Sequence, residues 1–231
     1  MKKFYDKSEL DIPYHTPDQK EFYLKRCAEF DEVQIGFDKI VFLGDSITEG
    51  GGNWNNYFGT KSIVNRGISG DTTLGVLARL NEICFYKPIS LFLLIGINDI
   101  FNTDSPNRKN ITPLSVANNI ITIANVIYKR SPNTEVYIQT TLPINNKLYK
   151  KLTGTFPFHE MPLPDQINQI NTRLMKKDRQ SHYTVIDLHD IFLDDHGLLS
   201  KKYTSDGVHL NKEGYNKWSN FIINYISNNS L

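Results

Sequence analysis

Hydrophobic positions along the chain follow two alternating patterns. Short runs dense in Val, Ile, Leu, Phe or Tyr fall at residues 39–43, 62–65, 89–95, 135–141 and 183–188. The third of them, Ile89-Ser90-Leu91-Phe92-Leu93-Leu94-Ile95, is apolar at nearly every position, as a strand buried on both faces of a parallel sheet should be. Between the runs lie stretches of helical period. Residues 72–83 place Leu74, Leu77, Ala78 and Leu80 on one face, with Asp71 as the expected N-cap. Residues 114–129, 165–177 and 212–226 repeat the pattern, and a further helix over 18–30 is expected to pack outside the core before the first strand. Strands alternating with helices predict right-handed βαβ units and an α/β fold, a three-layer α/β/α sandwich. Two segments fit neither pattern. Residues 102–113 read as a polar surface loop. Residues 145–164 carry Tyr149, Phe156, Phe158, His159 and Met161, and an irregular stretch of that length points to function.

Composition leaves this picture intact and removes some function classes. The 231 residues suit one sizeable domain that buries its core without staples. The net charge, 26 − 25 = +1, offers no basic surplus for nucleic acid. Cys27 and Cys84 both sit in apolar helical patterns and are read as buried free thiols. No apolar leader follows Lys2 and Lys3, and no run approaches the ~18 residues of a membrane span, so a cytoplasmic chain without integral membrane association is expected. No cluster has metal-ligand spacing, and neither a Walker loop nor Gly-x-Gly-x-x-Gly occurs, so neither metal nor cofactor is expected.

Ligands of open parallel sheets bind beyond the carboxyl ends of the strands. Four motifs fall at such ends: Gly44-Asp45-Ser46 after the first strand, Asn65-Arg66-Gly67-Ile68-Ser69-Gly70-Asp71 after the second, Gly96-Ile97-Asn98-Asp99 after the third, and Asp206-Gly207-Val208-His209 after the fifth. Singly, each reads as a turn or a helix cap. Together they hold the parts of a nucleophilic site. A serine hydroxyl is a weak nucleophile until a base removes its proton, and a base works best when a third group fixes its tautomer. Ser46 is the candidate nucleophile, His209 the base and Asp206 its orienter. His189, flanked by Asp187 and Asp190, is the rival histidine and reads as structural. The Ser46 and Gly70 N–H groups and the Asn98 side chain are candidate donors to a developing oxyanion. Asp45, Asp71 and Asp99 read as capping or supporting carboxylates, Gly50-Gly51-Gly52 as a flexible rim, and Trp54 as either pocket lining or a packed aromatic.

The ordered blocks Gly44-Asp45-Ser46-Ile47-Thr48, Gly70, Gly96-Ile97-Asn98-Asp99 and Asp206-Gly207-Val208-His209 resemble those of the GDSL esterases, or SGNH hydrolases. The resemblance implies a flavodoxin-like sandwich around a five-stranded parallel sheet. It also implies a Ser46–His209–Asp206 triad and an oxyanion hole of Ser46, Gly70 and Asn98. Residues 65–73 and 203–210 look most like the bacterial branch similar to the catalytic subunits of platelet-activating-factor acetylhydrolase, which suggests short acyl chains, acetyl first. On that reading, residues 1–37 form a helical extension packed on a hydrolase domain of residues 38–231. The expected partner is a small acyl ester of a sugar or lipid-like alcohol, with a homodimer as the assembly to test. Rival readings are a carbohydrate O-acetylesterase or transacylase, a lysophospholipase-like enzyme, a phosphate or flavin binder, and an inactive carbohydrate- or lipid-binding module.

Overall fold

The computed structural model describes residues 2–6, 10, 12–13, 15–60, 62–101, 111–176 and 181–227. Residues 102–110 of the expected polar loop, and Lys177 at the end of one expected helix, lie outside them. Five strands form one all-parallel sheet: β1 (Ile40–Gly44), β2 (Ile63–Gly67), β3 (Ser90–Leu94), β4 (Glu135–Gln139) and β5 (Thr184–Ile186), in the order β2-β1-β3-β4-β5. That is the flavodoxin-like winding, with its switch point between β1 and β3. β1 and β3 are buried at every residue, which is why they read as unbroken apolar runs. An aromatic row crosses the sheet in register: Phe42 stacks on Phe92 with centroids 5.1 Å apart, and Phe92 on Tyr137 at 4.7 Å.

The helices run in chain order as α1 (Pro17–Glu32), α2 (Ser46–Glu49), α3 (Asn55–Phe58), α4 (Thr73–Ala78), α5 (Asn81–Tyr86), α6 (Ile97–Phe101), α7 (Pro113–Arg130), α8 (Asn146–Thr153), α9 (Leu163–Met175) and α10 (Lys212–Ser227). α4, α5, α7 and α9 pack together in one layer, and α10 packs with α3 in another. α7 shows how sequence builds such an element. Pro113 opens it, Thr112 and Ser115 close a reciprocal cap, and Val116, Ile120, Ile123 and Ile127 turn one apolar stripe inward.

Three differences from the sequence expectations have physical causes. The helix expected over 72–83 is broken into α4 and α5, because Arg79 leaves helical geometry to bond Asp71. Its cap is Thr72, which accepts from the Gly75 N–H; Asp71 serves the ion pair instead. The segment 145–164 is not irregular throughout. It contains α8, capped by Asn145 and ended by Gly154 in the left-handed region.

The N-terminal segment packs on the sheet side through its own apolar cluster, including Phe4, Tyr5, Tyr23, Phe30 and Ile68. Its anchor is the fully buried Glu82. That carboxylate accepts from the Tyr5 hydroxyl at 2.6 Å, the Ile35 N–H at 2.7 Å, and Arg66 at 2.9 and 3.0 Å.

Candidate active site

Ser46 opens α2 where β1 ends. The turn is sharp because Gly44 lies against the next strand: an added Cβ would run into the Leu94 carbonyl and the Thr48 side chain. Asp45 caps α2 by accepting from the Ile47 N–H at 2.9 Å. It is 1% exposed, and burial pushes its carboxyl up to about 7 against that hydrogen bond. The Tyr215 hydroxyl, from α10, donates to the Ile47 carbonyl at 2.9 Å and fixes α2 from behind. Trp54 lines no open pocket. It is buried, stacks on Phe42 at 4.4 Å and donates its indole N–H to the Thr48 carbonyl. Of the Gly50-Gly51-Gly52 run, Gly50 lies against the Tyr215 hydroxyl and Gly51 against the Trp54 indole, while Gly52 is exposed with open space beside it.

Asp206 and His209 lie in a tight loop between β5 and α10. The buried Thr204 hydroxyl organises it, donating to the His209 carbonyl at 2.6 Å and accepting from the Gly207 N–H at 2.8 Å. Asp206 Oδ1 accepts the Val208 and His209 backbone N–H groups at 2.8 and 2.7 Å, and Oδ2 meets His209 Nδ1 at 2.6 Å. His209 Nε2 lies 3.0 Å from Ser46 Oγ, across 163 residues of sequence. Burial alone would push the Asp206 carboxyl up. The hydrogen bonds from the His209 ring and the two N–H groups outweigh it and hold the group at about 2. The same bond to Asp206 raises His209 above its ordinary 6.5, against partial burial.

Gly70 has φ +79° and occupies the third position of the turn Ile68-Ser69-Gly70-Asp71, closed by the Asp71 N–H donating to the Ile68 carbonyl at 3.0 Å. A positive φ at that position is what a type II turn demands. Asn98, in the first turn of α6, donates its side-chain amide to the Asp71 carbonyl at 2.9 Å. Asp99 accepts from the Thr73 backbone N–H and hydroxyl, and so ties α6 to the start of α4. With the Ile68 N–H donating to the Gly44 carbonyl at 3.1 Å, the motifs after β1, β2 and β3 are thus bonded to one another. The rival His189 is held by the Thr141 carbonyl, 2.8 Å from its Nδ1, and by the Thr140 hydroxyl, which accepts its backbone N–H.

A small cavity of about 10 Å³, room for one water, is lined by Asp45, Ile47, Leu94, Ile97, Thr141 and Val208. A cavity of about 920 Å³ lies away from Ser46 and His209, between the N-terminal segment and α5. Among the described residues no group of His, Cys, Asp and Glu could hold a metal ion, and no helix is long and apolar enough to cross a membrane. Both cysteines are free and buried.

Two contributors were not among the candidate residues: Thr204, which bonds the His209 carbonyl five residues on, and Arg79, which bonds the Gly44 carbonyl 35 residues back. Only the charge of Arg79 inside an apolar helical stripe marks it.

The family model described as GDSL-like Lipase/Acylhydrolase family matches residues 42–217. The platelet-activating factor acetylhydrolase IB subunit alpha2 of Rattus norvegicus is 26% identical over 184 residues, 77% of this chain and 71% of that one. A solved Streptococcus pneumoniae protein described as a platelet activating factor is 28% identical with a TM-score of 0.70, over 90% of this chain and 92% of that one. A solved GDSL-like lipase of Bacteroides thetaiotaomicron shares the fold, with a TM-score of 0.71 at 21% identity, over 89% of this chain and 97% of that one.

Proposed function

The chain belongs to the GDSL-like lipase/acylhydrolase family and is a hydrolase of ester bonds, and from that premise we propose that it is a serine esterase for short acyl chains, acetyl first. The observation that carries the reading is the unbroken chain of contacts from Ser46 Oγ to His209 Nε2 at 3.0 Å and from His209 Nδ1 to Asp206 at 2.6 Å.

Ser46 Oγ attacks the ester carbonyl while its proton passes to His209 Nε2. The charge that forms on His209 faces Asp206, a carboxylate held ionised across the working range. The oxyanion is met by the Ser46 and Gly70 N–H groups and the Asn98 side-chain amide, whose bond to the Asp71 carbonyl fixes its direction before substrate arrives. Collapse of the intermediate expels the alcohol, which leaves with the proton from His209. Water then attacks the acyl-enzyme, again giving its proton to His209, and Ser46 departs with that proton as the acid is released.

The short-chain preference draws support from the likeness to an acetylhydrolase subunit. The test is hydrolysis of p-nitrophenyl acetate, butyrate and octanoate, with acetylated sugars in the same panel. Wild type should favour acetate, and Ser46→Ala should lose ~10³-fold or more in kcat. Equal rates for the two proteins would refute the mechanism, and a preference for octanoate would refute the acyl assignment.

A further inference from the structure

Arg79 is a charged side chain in the interior of the molecule, 1% exposed, and its partner Asp71 is equally buried. Arg79 Nε and Nη2 each lie 2.8 Å from Asp71 Oδ2, and Nη2 also donates to the Gly44 carbonyl at 3.0 Å. Gly44 is two residues before Ser46. Asp71 directly follows Gly70, and its backbone closes the turn in which Gly70 sits. The Asp71 carbonyl, in turn, receives the Asn98 amide at 2.9 Å. One ion pair therefore touches all three segments that carry the oxyanion donors, and it touches neither His209 nor Asp206.

We propose that Arg79, paired with Asp71, is a positioning residue that sets the spacing of the Ser46, Gly70 and Asn98 donors. The proposal rests on the reading of those three groups as the oxyanion hole. The chemistry favours arginine for this task. Its planar fork reaches two acceptors from one rigid group, whereas a lysine is a point charge on a flexible stem. Arg79→Lys preserves the neutralising charge for Asp71 but cannot hold the Asp71 carboxylate and the Gly44 carbonyl in fixed relation. A misplacement of about 1 Å in a preorganised site is enough to cost ~10²-fold in rate.

The experiment compares wild type, Arg79→Lys and the neutral pair Asp71→Asn with Arg79→Gln, on p-nitrophenyl acetate and on a fluorophosphonate. The fluorophosphonate's phosphoryl oxygen also needs the oxyanion donors. The expected result is a ~10–100-fold fall in kcat and in the inactivation rate constant, with KM within threefold. The acid limb of the pH profile should stay where it is in wild type, because the histidine and its partner are untouched. A role in stability alone would lower Tm and leave kcat of the folded protein unchanged. Wild-type kcat in either folded variant overturns the proposal. So does a displaced acid limb, and so does failure of both variants to fold, which would make the pair a determinant of the fold and not of the donors. Ser46→Ala separates this proposal from the reading beneath it: an active Ser46→Ala sinks the esterase mechanism, whereas an inactive Ser46→Ala beside a fully active Arg79→Lys sinks only the inference.

Discussion

At the scale of single residues, pH is the sharpest probe. The hydrogen bond that the His209 ring donates to Asp206 raises His209 above 6.5, so its neutral form is lost at a higher pH than for a free histidine. The acid limb of kcat/KM for acetyl ester hydrolysis should therefore have its midpoint above 6.5, and a midpoint at or below that value would count against His209 as the base. Asp45 acts in the opposite sense, on stability. Burial holds its folded carboxyl at about 7, whereas the unfolded chain ionises near 3.9, so the folded state binds the extra proton between those values. Stability should decline as pH rises from about 4 to 7 and level off above. Asp45→Asn keeps the cap acceptor for Ile47 and should flatten that decline in urea titrations run at several pH values. Gly70 is a third case. Its φ of +79° is hard for any residue with a Cβ, yet an added Cβ would meet nothing closer than Gln19 at 3.9 Å. Gly70→Ala should thus cost only about 1–2 kcal/mol of stability while displacing the proposed N–H donor and lowering kcat by ~10-fold or more, as urea melts and steady-state kinetics would show.

At the scale of elements, the chain announced its sheet and concealed its breaks. Phe42, Leu43, Leu91 and Phe92 are fully buried, so their runs could be read directly as strands. The interruption between α4 and α5 was invisible because its cause, the bond from Arg79 to Asp71 and Gly44, spans up to 35 residues. The periodicity of Leu74, Leu77, Ala78 and Leu80 continues straight across it. α8 was missed for a different reason: only eight residues long, it offers just Leu148, Tyr149 and Leu152 as apolar positions, too few to stand out as a period. Its dependence on Asn145 can be measured. That side chain accepts from the Leu148 N–H and donates to the Leu199 carbonyl, both at 2.9 Å, while its backbone N–H donates to the Gly207 carbonyl at 2.7 Å. Asn145→Ala should cost about 2 kcal/mol, or roughly 4–8 °C in Tm, through the lost cap and the carbonyl left unpaired. The candidate residues Ser46, Gly70 and Asn98 were legible because each follows a strand end in a short polar motif, and Asp206 and His209 because their close spacing suits an orienter and a base. Thr204 and Arg79, which orient them, were not, because a hydroxyl and a guanidinium declare their partners only once the chain has folded.

At the scale of the whole molecule, two buried ion pairs divide the labour. Arg79 with Asp71 sits under the strand ends of the site, and Arg66 with Glu82 fastens the N-terminal segment to β2 and α5. Glu82→Ala strands Arg66, the Ile35 N–H and the Tyr5 hydroxyl together and should cost about 3–5 kcal/mol in urea unfolding. Hydrogen exchange should then show residues 2–6 and α1 opening before the sheet does. The separation of Ser46 and His209 has a consequence of its own. The serine leaves β1 early in the chain, and the histidine arrives 163 residues later, in the loop after β5 that leads into α10. On the proposed mechanism the Ser46 hydroxyl is made long before the base that is to take its proton, so a chain that stops short of the loop after β5 should hydrolyse no ester.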